Sequence, residues 1–143
     1  DLIFMFLWKE SYSVNISDID NQHKELFKIA NKLSDCLKEY DVITDQYDEV
    51  KQIFNELTNY TIYHFQFEEE LMINNGYENI AVHKAQHDTF INKIKSLEFN
   101  EDIYINQKRS MLEALSFLLD WISNHILITD MKYKSFLNGK GII

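Results

Sequence analysis

The sequence predicts an all-α protein: an up-down-up-down antiparallel four-helix bundle with an N-terminal arm and a short C-terminal helix. The chain of 143 residues has no proline and only three glycines, and these residue types interrupt helices most strongly. Four stretches repeat apolar residues with the period of about 3.6 that is typical of a helix with one buried face. Four such helices joined by short connections pack most simply as an antiparallel bundle.

The first two predicted helices have recognisable ends. The apolar stripe of the first covers residues 19–37 and follows two candidate N-terminal caps, Ser17 and Asp18. The stripe of the second covers residues 50–71 and stops before Asn74-Asn75-Gly76, a typical signal for a helix C-terminus.

The remaining helices follow after short connections. The third stripe covers residues 80–97 after Asn79, an expected cap, and the fourth covers residues 111–125. A last short helix is expected to run to Asn138-Gly139. The apolar start of the chain is too short to span a membrane, so residues 1–16 are interpreted as an arm that lies against the bundle.

The chain is predicted to form one domain over residues 1–143, with the bundle at 17–138. The linkers near residues 40–44, 75–79 and 99–103 are too short to separate domains, and this length suits a single core.

Composition excludes several classes of function. The net charge of -9 argues against nucleic acid as a partner and for a soluble, self-repelling chain. The single cysteine, Cys36, cannot form an internal disulfide, which suits a reducing, cytoplasmic location. No stretch is expected to insert into a membrane.

All five histidines fall within the predicted apolar stripes, and four of them have a second candidate metal ligand four or five residues away. Imidazole is the commonest metal ligand in proteins, and residues four apart share one helix face. The pattern consists of His23 alone, His64 with Glu68, His83 with His87, and His125 with Asp130.

Each position also has an ordinary structural interpretation. A lone His23 on an apolar face is more often a hydrogen-bonded core residue, and His64 with Glu68 could simply be a helix-stabilising pair. Glu69 and Glu70 are alternative carboxylates, but their positions further round the helix point away from His64. Taken together, however, five imidazoles and two carboxylates buried without partners would cost several kcal/mol each.

Asp130 presents a geometric problem. A separation of five residues places it about 140° from His125 on a straight α-helix. Either the helix ends or bulges after Ile126, or Asp130 is a surface residue. A π-bulge or a restart between Leu127 and Thr129 would bring the two side chains together.

The number and type of ligands favour two metal ions. Tetrahedral zinc needs four ligands, often thiolates, whereas mixed imidazole and carboxylate ligation suits iron or manganese better than calcium or magnesium. With both carboxylates and one oxygen bridging, an ion with three histidines reaches six ligands and an ion with two histidines reaches five. One position then remains open.

These motifs resemble those of the hemerythrin family in order and spacing over nearly the whole chain. The matching ligand motifs are Asp20-x-x-His23, His64-x-x-x-Glu68, His83-x-x-x-His87 and His125-x-x-x-x-Asp130. Flanking residues that also agree are Trp8, Ile16, Glu69-x-x-Met72, Gly76-Tyr77, Phe90 and Trp121. One departure is Glu78, where the family commonly has a proline.

The resemblance implies a non-haem di-iron centre that binds dioxygen reversibly for carriage, storage or delivery. By resemblance, His83, His87 and His125 bind one iron, His23 and His64 bind the other, and Glu68, Asp130 and an oxo or hydroxo group bridge them. It also implies that Asp130 lies where the last long helix ends. The candidate walls of an apolar oxygen pocket are Leu26, Phe65, Trp121, Ile122 and Ile126.

Other functions and partners stay open at this stage. The protein is expected not to be an enzyme, because oxygen-activating bundles of the ferritin class use Glu-x-x-His pairs and this chain has none. The alternatives are a di-iron oxygen or redox sensor, an oxidase, peroxidase or nitric oxide reductase, and an iron store. Expected partners are dioxygen, small anions such as azide and an oxygen-consuming enzyme, and the expected state is a monomer.

Overall fold

A computed structural model describes residues 6–40, 46–98 and 106–143, and every regular element within these ranges is helical. A short 3-10 helix at Glu10–Tyr12 precedes the bundle. The helices are α1 (Ser17–Lys38), α2 (Tyr47–Asn74), α3 (Ile80–Glu98), α4 (Gln107–Trp121), a π-helical segment (Ile122–Asp130) and α5 (Met131–Gly139). The first five residues of the expected arm, and the linkers expected near 40–44 and 99–103 except Tyr40, lie outside the described residues.

The four long helices form the predicted bundle. Helix α1 packs against α2 and α4, and α3 packs against the same two helices, so the four close into a ring. The apolar stripe of each helix faces inward, as the sequence period requires. The prediction of an all-α four-helix bundle is confirmed.

Two apolar clusters fill the interior. The main core includes Leu26, Phe65, Phe90, Leu115 and Ile126 and draws on all four long helices and the π-helical segment. The end cluster closes one end of the bundle and consists of Val14, Ile16, Ile19, Met72, Tyr77, Tyr133 and Leu137.

The candidate ligands lie between these two clusters. In α1, His23 lies between Ile19 of the end cluster and Leu26 of the main core. In α2, Glu68 lies between Phe65 and Met72 in the same way. The polar layer is therefore closed off by apolar side chains on both sides along the bundle axis.

Helix α2 ends with a Schellman motif at Gly76. The amide of Tyr77 donates to the carbonyl of Met72 at 3.0 Å, and the amide of Gly76 donates to the carbonyl of Ile73 at 3.2 Å. Gly76 has a φ of 74°, which an L side chain adopts at a steric cost. The predicted stop signal is confirmed.

The end of α5 confirms the sequence prediction, because the helix runs to Gly139. The residue with left-handed backbone is Gly141, with a φ of 80°. The amide of Ile142 then donates to the carbonyl of Leu137 at 3.1 Å, which repeats the motif seen after α2.

The N-terminal arm is fastened by two polar side chains of α1. Asn31 accepts from the amide of Phe6 at 2.7 Å and donates to its carbonyl at 3.0 Å. Asp20 accepts from the amide of Val14 at 2.9 Å and from the hydroxyl of Ser13. Ser17 and Asp18 were expected as caps, but α1 begins at Ser17 itself without a side-chain capping bond. The hydrogen bonds that Asp20 accepts attach the arm to the first turn of the helix instead.

The last helical stretch corrects the expectation that no segment has the properties of a membrane span. The continuous helix Gln107–Gly139 is long and apolar enough by length and composition to cross a membrane. One such helix is weak support for insertion, since the core helix of a soluble protein passes the same test. Here the helix contributes Met111, Leu115 and Leu118 to the main core.

Two glycine substitutions test the account of the helix ends. We expect Gly76→Ala to lower the free energy of unfolding by about 1–2 kcal/mol, because the new side chain must adopt a left-handed backbone. The cost is purely conformational, since nothing lies within 4 Å of the added Cβ. Urea unfolding of each variant in its metal-loaded form, followed by circular dichroism, measures it.

Gly139→Ala is the matched control. This glycine is helical and its added Cβ also meets nothing within 4 Å, so the substitution should be neutral or stabilise by about 0.4–1 kcal/mol. Equal destabilisation by both variants would contradict the assignment of the two backbone conformations.

Candidate metal centre

The seven predicted ligands meet in the polar layer of the bundle as two groups. One group consists of His83, His87, His125 and Asp130, and the other consists of His23, His64 and Glu68. Within each group the potential ligand atoms lie within 4.8 Å of one another. All seven side chains are buried, none with more than 2% of its surface exposed. The structure thus brings together every candidate ligand that the sequence indicated.

Asp130 lies between the two groups. One of its oxygens is 2.9 Å from Nε2 of His125 and 3.0 Å from Nε2 of His83. The other oxygen is 3.2 Å from Nε2 of His23, in the second group. A single carboxylate therefore presents one oxygen to each group.

Glu68 has a similar position. Its Oε1 lies 2.5 Å from Nε2 of His64 and 3.9 Å from Nε2 of His87, which belongs to the other group. Its Oε2 accepts a hydrogen bond of 2.6 Å from the hydroxyl of Tyr133 and lies 3.9 Å from Nε2 of His83. Tyr133 is fully buried, and its hydroxyl group fixes the position of Oε2 of Glu68.

The π-helical segment explains how His125 and Asp130 reach the same group. The hydrogen bonds of a π-helix join residues five apart, so side chains at that spacing share one face. The sequence allowed a π-bulge or a restart between Leu127 and Thr129, and the structure has a longer π-helical stretch, Ile122–Asp130. The expectation that the long helix ends at Asp130 is wrong, because α5 continues directly from this residue.

Most of the ligand atoms have no hydrogen-bond partner in the protein, as expected of atoms that bind metal ions. Among the described residues, the buried side-chain atoms without a hydrogen bond include Nε2 of His23, His64 and His83, Oε1 of Glu68 and both oxygens of Asp130. Buried polar atoms are almost always paired in folded proteins, and an unpaired one costs about 1–3 kcal/mol. Cations between the two groups would satisfy all of these atoms together.

The electrostatics of the metal-free site also favour a cation. Burial alone would lower the pKa of His23, but the carboxylate of Asp130 raises it above its ordinary value. Burial opposes ionisation of Asp130, yet His125 and other histidines hold its pKa well below its usual range. Burial and neighbouring imidazoles lower the pKa of His87 to about 3. Ionised carboxylates at the buried centre attract positive charge, and a bound metal cation can supply it where His87 stays neutral.

Three of the histidines are oriented by side chains that the sequence analysis missed. The outward Nδ1 of His64 is 2.7 Å from the amide oxygen of Gln22, and that of His125 is 2.8 Å from the amide oxygen of Gln86. Nδ1 of His87 is 2.7 Å from a carboxylate oxygen of Glu69. Such partners fix which ring nitrogen carries the proton and leave Nε2 free to bind metal.

A sequence signal for these partners does exist. Gln22 and Gln86 each immediately precede a candidate ligand in the chain, and Glu69 immediately follows one. Each of them serves a histidine on a different helix, however, so only the packing of the helices identifies the pairs. Glu69 does point away from His64, as expected, but it reaches His87 instead.

The five candidate pocket residues all belong to or pack against the main core. Leu26 and Ile126 are fully buried and Ile122 nearly so. Phe65 stacks on His87 with ring centroids 3.9 Å apart, and Trp121 stacks on His125 with centroids 4.2 Å apart. Trp121 is half-buried and also lines a surface cavity of about 320 Å³. Their role as walls of a gas pocket stays a prediction.

Comparison with known sequences gives a consistent relationship. The family model described as the hemerythrin HHE cation binding domain matches residues 14–137. A bacteriohemerythrin of Clostridium acetobutylicum is 40% identical over 129 residues, which cover 90% of this chain and 98% of that protein. A bacteriohemerythrin of Methylococcus capsulatus is 30% identical over 128 residues, which cover 90% of this chain and 92% of that protein.

Solved structures agree with the sequence relatives. The crystal structure of a wild-type hemerythrin matches this chain with a TM-score of 0.76 and 27% sequence identity, and the match covers 94% of this chain and 98% of the other. The fold, the ligand motifs and the extent of these matches lead to one conclusion: the chain belongs to the hemerythrin family.

Proposed function

We propose that the protein binds dioxygen reversibly at a di-iron centre. The observation that carries this proposal is the unequal division of the histidines, three in one group and two in the other, around two carboxylates that face both groups. With equal contributions from the bridges, the iron of the smaller group has one ligand fewer. That position is where a small ligand would bind.

The residues have distinct roles in this proposal. His83, His87 and His125 would hold one iron, His23 and His64 would hold the other, and Glu68 and Asp130 would bridge the two together with an oxo or hydroxo group. The iron pair supplies electrons that dioxygen can accept and return. The protein would hold the pair in one geometry, because the helices fix the position of each histidine and the partners of Nδ1 fix the rings of His64, His87 and His125.

Exclusion of water is the second task of the protein. The polar layer lies between the main core and the end cluster, and its ligands are buried. We propose that Leu26, Phe65, Trp121, Ile122 and Ile126 keep the open position apolar. A dry site slows irreversible oxidation by excluding water and protons, and small anions such as azide would compete for the same position.

Carriage is favoured over enzymatic activity by the composition of the ligand set. The ferritin-like di-iron proteins use four carboxylates and two histidines, whereas this site offers two carboxylates and five imidazoles, which are neutral ligands when they bind a metal. Fewer anionic ligands stabilise highly charged iron less, so bound oxygen is more readily released intact. We further propose a cytoplasmic monomer that stores oxygen or delivers it to an oxygen-consuming enzyme.

The iron content and the oxygen response test the proposed function. Purified protein should contain two iron ions per chain. Its reduced form should change colour when oxygen is added and regain its original colour when oxygen is removed. Metal analysis and stopped-flow absorption spectroscopy measure these properties. One metal ion per chain would refute the site, and one-way oxidation with continuous consumption of a reductant would show an enzyme.

A leucine substitution tests the dry pocket. Leu26 follows His23 by three residues and is fully buried, so Leu26→Ala should admit water near the iron held by His23 and His64. We expect oxygen still to bind, but the bound form to decay faster to the oxidised state and azide to bind the oxidised centre faster. Both rates are measured by absorption spectroscopy.

Leu33→Ala is the matched control. Leu33 is as deeply buried as Leu26 in the same cluster, but ten residues of helix place it about 15 Å from His23 along the axis. Both variants should lose about 2–5 kcal/mol of stability, and only Leu26→Ala should change the two rates. Unchanged rates in a folded Leu26→Ala protein would place the pocket elsewhere.

A further inference from the structure

The three histidines with outward side-chain partners differ in the charge of that partner. His64 and His125 each face a neutral amide oxygen, from Gln22 and Gln86. His87 alone among these three faces a carboxylate, that of Glu69. Since each Nε2 points into the centre, each Nδ1 carries the proton and donates it in the hydrogen bond.

The carboxylate of Glu69 faces His87 rather than solvent. Its side chain is only 16% exposed. Glu69 and Lys84 both line a surface cavity of about 420 Å³. The ammonium group of Lys84, however, donates to both oxygens of Asp88 at 3.0 Å. Within the described part of the chain, His87 is the basic residue at ion-pair distance from Glu69.

Two side chains of α2, those of Phe65 and Glu69, fix the ring of His87. Phe65 stacks on it with an interplanar angle of 3° and a centroid distance of 3.9 Å, and the Glu69 carboxylate holds its outward edge. The ring therefore cannot rotate away from the carboxylate without losing the stack. The Glu69 carboxylate is therefore held at Nδ1 of the same ring whose Nε2 faces the metal centre.

A carboxylate and an amide differ in their effect on the ring. A carboxylate attracts the Nδ1 proton more strongly than an amide oxygen does, which leaves more negative charge on the imidazole and makes Nε2 a stronger ligand. More negative charge at the ligand stabilises the more highly charged, oxidised state of the bound metal.

We propose that Glu69 is a positioning residue that sets the reduction potential of the iron held by His83, His87 and His125. It makes His87 the strongest imidazole donor of the three partnered histidines and lowers the potential of that iron. This inference rests on the proposed di-iron site. Gln22 and Gln86 hold their histidines in the same way without adding charge.

Two opposite substitutions test the inference in the iron-loaded protein. Glu69→Gln gives His87 the same kind of partner as the other two histidines, so two irons should be retained and the reduction potential should rise. Gln86→Glu gives His125 a carboxylate, which can still accept from Thr129, so the potential should fall. Spectroelectrochemistry under anaerobic conditions measures both shifts.

Glu70→Gln is the matched control, because it removes the same charge from the adjacent, exposed position of α2. Glu69→Gln should raise the potential clearly more than Glu70→Gln does. Glu69→Ala, which leaves Nδ1 without its partner, should weaken iron binding by about 10–100-fold, as measured by iron loss to a chelator.

Several results would overturn the proposal. Equal shifts from Glu69→Gln and Glu70→Gln would show a general charge effect, and shifts of the same sign from Glu69→Gln and Gln86→Glu would exclude the hydrogen bond as the cause. Loss of iron from Glu69→Gln would also contradict it, since amide partners serve His64 and His125. If the unsubstituted protein itself fails to bind two irons, the proposed function fails instead.

Discussion

The structure depends on two carboxylates buried at the centre of the bundle. Glu68 and Asp130 are fully enclosed, and an ionised carboxylate in an apolar interior is costly unless positive charge compensates it. Five imidazoles surround the pair, but they are neutral ligands when they bind metal. Cations shared between the two carboxylates therefore stabilise the centre, and metal binding is coupled to folding.

This requirement accounts for features that are otherwise unfavourable. A nine-residue π-helical stretch at Ile122–Asp130 is rare and is found mostly at functional sites, and here it turns Asp130 toward His125. Tyr133, one turn further along, has a pKa raised well above its ordinary value by burial and by the nearby carboxylates of Asp130 and Glu68. It stays protonated and donates to Glu68. The end cluster then seals this polar layer from solvent.

The sequence predicted the bundle and the convergence of the five histidines and Glu68, because both follow from helical periodicity and spacing within single helices. It left Asp130 ambiguous, because the choice between an α-helix and a π-helix depends on packing against other helices. The hydrogen bonds that Gln22, Glu69 and Gln86 accept from histidines could not be predicted for the same reason. Each of them crosses between helices, and spacing along one helix carries no information about such contacts.

The most direct test of the shared carboxylates is a crystal structure of the iron-loaded protein with anomalous scattering recorded at the iron absorption edge. The account predicts two iron peaks, one bound by His83, His87 and His125 and the other by His23 and His64. Each of the two carboxylates, Glu68 and Asp130, should bind one iron through one oxygen and the second iron through its other oxygen. A single peak, or two peaks of which neither carboxylate joins both, would contradict the account.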